Sequence, residues 1–142
     1  MSTSDRGILD TNTVVLLERI GDPRSLPSEP LITAVTLAEL SVGPLVATDA
    51  AERATRQLRL QQAEADFDPL PFDAAAARAF GRVAASLHRA GRKTGAWSYD
   101  AMVAAVALAN DLPLFTCSPA DFEHIDGLDL RSVPHPDQTP GT

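Results

Sequence analysis

Four carboxylates are set apart by where they fall in the chain. Asp10 follows the apolar run Gly7-Ile8-Leu9, and Glu39 lies inside the otherwise apolar stretch 35–42. Asp100 heads the Ala-rich run 101–109, and Asp121 lies in Ser118-Pro-Ala-Asp-Phe122. Taken alone, each has an ordinary structural role. An Asp after a strand caps the next helix, and a Glu within a helix reaches solvent along a polar stripe with Thr36 and Gly43. An Asp in the first turn of a helix interacts favourably with the helix dipole, and an Asp in a Ser-Pro-Ala-Asp turn closes that turn. Brought together, they would act differently. Several carboxylates in close proximity cannot all stay ionised without a cation, because like charges raise one another's pKa. Hard oxygen donors without a paired Cys or His point to Mg²⁺, with Mn²⁺ as the alternative, and away from zinc. His88, His124 and His135 have no paired spacing, and the sequence has neither a Gly-rich phosphate loop nor a Gly-x-Ser-x-Gly elbow.

The elements that must position these groups follow from the residue pattern. Gly7-Ile8-Leu9 reads as a strand, followed by a polar turn and a helix from Thr13 to Ile20. After the Pro-rich loop 23–30, Leu31-Ile32 reads as a second strand. Thr33 caps a helix carrying Glu39, which is expected to stop at Gly43-Pro44. A charged helix spans 49–64, a short extended piece spans 68–70, and Asp73 caps a long helix over 74–90 that Gly91 ends. Ser98 caps a helix running to Asn110, and strands follow at 113–116 and 128–133. Strands separated by helices through short connections indicate an α/β fold with a parallel sheet covered on both faces. In such sheets the ligand crevice lies beyond the carboxyl ends of the strands, which is where Asp10 and Thr116 fall.

With 142 residues, 44% of them hydrophobic, the chain suits one domain over 1–133, and the tail 134–142 with its three prolines is expected to be disordered. No stretch approaches the roughly 18 apolar residues of a membrane span. The opening Met1-Ser-Thr-Ser-Asp-Arg has no charged-then-apolar leader, so the expected location is the cytoplasm. Cys117 is the only cysteine, which excludes an internal disulfide and leaves it as a small buried apolar residue. A net charge of −7 argues against binding nucleic acid by bulk electrostatics. The distribution is uneven, however. Residues 74–99 carry Arg78, Arg82, Arg89, Arg92 and Lys93 and no Asp or Glu.

From about Ile8 to Leu130 the chain resembles the PIN-domain family, and within it the VapC toxins of bacterial toxin–antitoxin pairs. The resemblance rests on Ile8-Leu-Asp10-Thr11-Asn12, on Leu37-Ala-Glu39-Leu40 with Gly43, on Asp100 opening an Ala-rich helix, and on Leu114-Phe-Thr116 followed by Ser118-Pro-Ala-Asp121-Phe122. Ser118 stands where the family usually has Asn. The resemblance implies a single PIN-like domain, an α/β/α sandwich with a central, mostly parallel sheet flanked by helices. It also implies divalent-metal hydrolysis of RNA that leaves 5′ phosphates. Asp10, Glu39, Asp100 and Asp121 would hold Mg²⁺, and the Thr116 hydroxyl would help to place water. Arg89, Arg92 and Lys93 would hold the RNA backbone, and Trp97 would stack a base or bury itself in a dimer contact. The implied partners are a second copy of the chain and a small cognate antitoxin.

Two other readings compete. A haloacid-dehalogenase-type phosphohydrolase would need a second Asp where Asn12 stands and a lysine after a later strand, whereas Lys93, the only lysine, follows a helix. A degenerate PIN module acting as a binding platform would not need Asp10, Glu39 and Asp100 intact.

Overall fold

Four parallel strands form the central sheet, in the order β2 (Glu29–Leu31), β1 (Arg6–Leu9), β3 (Leu114–Thr116), β4 (Leu130–Ser132). The computed structural model describes residues 6–92 and 98–138. Successive residues of a strand face opposite sides of its sheet, and the core divides accordingly. Ile8 and Leu114 pack with buried residues of α4 (Ala74–Arg89) and α5 (Ser98–Ala109). Leu9 and Phe115 pack with those of α1 (Thr11–Leu16) and α3 (Ala50–Asp66). The intervening α2 (Ala34–Val46) gives Val35 to the first cluster and Leu40 to the second. A sheet covered on both faces needs consecutive apolar residues, hence the unbroken Ile8-Leu9 of β1. Gly7 carries no side chain because a Cβ there would come within 2.4 Å of the Phe115 ring.

The α5 helix is the most deeply placed, with Ala101 and Val103 to Ala107 all at most 1% exposed. A helix apolar all round must be buried on every side, and the small side chains of α5 meet Ala76 and Ala79 of α4 closely. Local signals set most helix ends. Thr33, Asp49 and Asp73 accept hydrogen bonds from the backbone N–H groups of Thr36, Glu52 and Ala76. Gly91, at φ 76°, ends α4 in a Schellman turn, with Gly91 N–H donating to the His88 carbonyl and Arg92 N–H to that of Leu87.

Several boundaries differ from the pattern reading. The first helix starts at Thr11 because Asp10 is its cap, and it passes into a 3₁₀ turn at Leu17–Arg19. The second strand is Glu29–Leu31 and leaves Ile32 out, while the extended piece 68–70 contributes a single bridge between Leu70 and Thr33. The main correction concerns α2, which runs through Gly43-Pro44 to Val46. Its terminal carbonyls, which a helix end leaves without partners, receive donors from α3. Arg56 donates to the Gly43 carbonyl at 2.9 Å, and Arg53 to those of Pro44 at 3.3 Å and Ala47 at 3.5 Å. Gly43 permits the close approach this requires, since a Cβ there would sit 3.2 Å from Arg56 Cδ.

Arg56→Ala is therefore expected to lower stability by about 1–2 kcal/mol, the range for hydrogen bonds to a charged donor. Denaturant unfolding measures this directly. An unchanged midpoint would mean that water caps the helix equally well.

Candidate active site

The four carboxylates come from four elements that all end or begin at the carboxyl edge of the sheet. Asp10 follows the last residue of β1, and Glu39 lies in the second turn of α2, which β2 feeds through Thr33. Asp100 lies in the first turn of α5, and Asp121 closes the 3₁₀ turn Pro119–Asp121 after β3. Asp10 is both the cap expected of its position and a candidate site residue. Its Oδ1 accepts from the Thr13 backbone N–H at 3.2 Å and from the Thr13 hydroxyl, and its Oδ2 accepts from the Thr116 hydroxyl at 3.0 Å. Those two hydroxyls in turn accept from backbone N–H groups beyond β3, Thr13 Oγ1 from Cys117 and Thr116 Oγ1 from Ser118. The proton of Thr116 is thus committed to Asp10, and the side chain is buried. Through this bond Thr116 orients the Asp10 carboxylate.

Glu39 is held differently. Thr11, next to Asp10, donates its hydroxyl to Glu39 Oε1 at 2.6 Å, and the same hydroxyl lies 2.9 Å from that of Thr36, one turn earlier on α2. Thr11, Thr13 and Thr36 are site residues that charge-seeking sequence reasoning passes over. Their only sequence signal is that a threonine lies within three residues of Asp10 and of Glu39. Asp100 accepts no hydrogen bond from any described residue.

The electrostatics tie the four together. Burial pushes Asp100 up to about 7, with repulsion from Asp121, Asp10 and Glu39 adding to it. Burial also raises Asp10, outweighing the hydrogen bonds from Thr13 and Thr116, and the charge of Asp121 pushes the same way. Glu39 is raised by burial, opposed by the Thr11 hydrogen bond and aided by Asp10. Asp100 thus feels the charges of the other three, Asp10 that of Asp121, and Glu39 that of Asp10. Among the described residues no three His, Cys, Asp or Glu side chains close into a finished ion cage. An open all-oxygen set nevertheless suits Mg²⁺, which keeps several waters and takes only one or two carboxylates directly.

Of the basic residues expected to meet RNA, Arg89 is engaged away from the acids. Arg89 forms an exposed ion pair with Asp126 at 2.8 Å, in the loop that leads to the amino end of β4. That places it toward the opposite edge of the sheet from the carboxylates. Arg92 is half-buried behind the Gly91 turn, and Lys93 and Trp97 lie outside the described residues. The side chain of Ser98, the expected cap of α5, is also outside them. Cys117 is buried in the core cluster of Leu9 and Phe115, as its isolation in the sequence indicates. No helix among the described residues is long and apolar enough to cross a membrane. A cavity of about 250 Å³ between α1 and α3 is lined by Val14, Leu17, Leu58 and Phe67 among others, and by none of the four carboxylates.

The PIN domain family profile matches residues 8–128, a span that includes all four acids. Ribonuclease VapC5 of Mycobacterium tuberculosis is 38% identical over 128 residues, covering 89% of this chain and 92% of that protein. Ribonuclease VapC8 of the same organism is 32% identical over 101 residues, covering 71% and 89%. Among solved structures, that of VapBC-5, a toxin–antitoxin system of M. tuberculosis, superposes with a TM-score of 0.74 at 35% identity, covering 91% of this chain and 98% of the matched one. The parallel order β2-β1-β3-β4 and the two covered faces agree with these matches, and the chain belongs to the PIN-domain family, in its VapC branch.

Proposed function

We propose that the protein is a Mg²⁺-dependent endoribonuclease toxin, held in check by a cognate antitoxin and acting in the cytoplasm. The observation that carries the reading is the placement of Asp10, Glu39, Asp100 and Asp121 at the carboxyl edge of the sheet, where Thr11 ties Glu39 to the Asp10 junction and burial raises Asp10, Glu39 and Asp100. Acids raised by burial beside further carboxylates are poised for a cation, and the relatives named ribonuclease VapC supply the substrate class.

In this reading Asp10, Asp100 and Glu39 hold the ion, and exposed Asp121 contributes at the rim. When bound, a divalent cation neutralises phosphate charge and lowers the proton affinity of a nearby water. The chain's own part is to fix geometry. Thr13 and Thr116 lock the Asp10 rotamer from both oxygens, and Thr11 orients Glu39. Water oxygen attacks phosphorus in line, the P–O3′ bond breaks, and a proton ends on O3′, leaving a 5′ phosphate. Arg92 and Lys93, in the segment leading to α5, are positioned in sequence to meet the RNA backbone, whereas Arg89 would first have to release Asp126.

Exposed apolar side chains support a protein partner. Leu45 is 84% exposed and Val46 61% at the end of α2, with Leu58 at 55% on α3. The exposed small residues Ala77, Gly81 and Ala85 form a stripe along α4 that suits close packing of a second copy. Expression of the chain without its antitoxin, followed by mapping of RNA 5′ ends, tests the function. New 5′-phosphate ends that disappear with Glu39→Gln are expected. A chain that is harmless and leaves cellular RNA intact would overturn the toxin reading.

A further inference from the structure

The hydroxyls of Thr11 and Thr36 form a chain on Glu39 that the metal-site reading does not itself require. Thr11 Oγ1 lies 2.6 Å from Glu39 Oε1 and 2.9 Å from Thr36 Oγ1. A hydroxyl has one proton to give. An ionised carboxylate only accepts, so the Thr11 proton goes to Glu39, and Thr36 must donate its own proton to Thr11. The direction of the chain is therefore set as Thr36 to Thr11 to Glu39. Thr36 is fully buried on α2, one turn ahead of Glu39, and Thr11 is the first residue of α1, next to Asp10.

Geometrically, the chain spans two elements. Glu39 and Thr36 belong to α2, and Thr11 belongs to the junction that also carries Asp10. A free glutamate on a helix has three side-chain torsions to order, which costs conformational entropy. Tying Oε1 to the Asp10 junction removes much of that freedom before any ion arrives. Oε2 accepts no hydrogen bond from a described residue.

Resting on the reading of Glu39 as a metal ligand, we propose that Thr11, backed by Thr36, is a positioning residue that aims Glu39 at the cation and couples its placement to that of Asp10. The removal of an outer partner that orients a ligating carboxylate costs roughly 10–100-fold in metal affinity. Mn²⁺ alone is the probe, with its dissociation constant measured by electron paramagnetic resonance of free Mn²⁺ on the full chain. Thr11→Val, nearly the same shape without the hydroxyl, is expected to weaken Mn²⁺ about 10-fold. Thr11→Ser, which keeps the donor, is expected to stay within about twofold of wild type, outside that loss. Thr36→Val should give a smaller loss in the same direction, which keeps the test available if Thr11→Val folds poorly.

Glu39→Gln is the reference. If it loses Mn²⁺ affinity while both Thr→Val proteins bind as wild type does, the positioning role is overturned and the ligand assignment stands. If Glu39→Gln binds as wild type does, the ligand assignment itself fails, and the positioning role with it. An equal loss in Thr11→Ser and Thr11→Val would also overturn the proposal, because it would trace the effect to packing of the methyl group rather than to the hydroxyl.

Discussion

Asp100→Asn is expected to abolish RNA cleavage while leaving a folded protein. A bound divalent ion contributes several kcal/mol to phosphoryl chemistry, and losing about 4 kcal/mol corresponds to a rate loss on the order of 10³-fold. Asp100 is the most informative of the acids to neutralise. No described residue donates a hydrogen bond to it, so an amide in its place breaks no hydrogen bond from a described residue. Asp10→Asn should be as inactive but harder to interpret, since Asp10 also caps α1 and accepts from Thr13 and Thr116. Single-turnover cleavage of a defined RNA in Mg²⁺, alongside circular dichroism of each variant, separates loss of chemistry from loss of fold. A well-folded Asp100→Asn protein that cleaves at the wild-type rate would remove Asp100 from the site.

The metal-free protein should become less stable as pH rises, and this is the second large effect. The folded pKa of Asp100 is pushed up to about 7 from an ordinary value of 3.8. Between those two values the folded state holds a proton that the unfolded state has lost. Stability therefore falls with rising pH across that window and levels off above about 7. Asp10 and Glu39 are displaced in the same direction and add to the slope. Asp129 is displaced the other way by its hydrogen bond from Arg131, and its stabilising contribution is lost only on acidification below the ordinary carboxylate range.

Melting of EDTA-treated wild type between pH 5 and pH 8 should show this decline, and Asp100→Asn should flatten it and melt higher at pH 8. Mg²⁺ should restore wild type more at pH 8 than at pH 5, because protons and the cation compete for the same oxygens. Parallel melting curves for wild type and Asp100→Asn would mean that the Asp100 carboxyl is not raised in the folded protein.

Features carried by residues close together in the chain are legible in the amino-acid pattern. Asp10 as strand end and helix cap, Thr33 and Asp73 as caps, and Gly91 as a terminator each depend on hydrogen bonds spanning a few residues, which the local pattern encodes. The parallel sheet is legible too, since unbroken apolar strands separated by amphipathic helices have few other ways to bury themselves. The four acids can be named because each interrupts or borders an apolar element.

Features that the pattern does not carry depend on partners far apart in sequence. Pro44 reads as a helix stop on its own, yet α2 continues through it to Val46, with Arg53 and Arg56 of the next helix donating to its terminal carbonyls. Arg89 reads as a free basic residue within an acid-free stretch, yet Asp126 from 37 positions away pairs with it. The hydroxyls that orient the acids act across 28 residues for Thr11 and Glu39 and across 106 for Thr116 and Asp10. By itself the sequence determined which elements form, which groups are charged and what chemistry they could carry. Only the tertiary structure decided which of those groups share a field, because repulsion and hydrogen bonding fall off over a few ångströms and chain separation does not record distance in space.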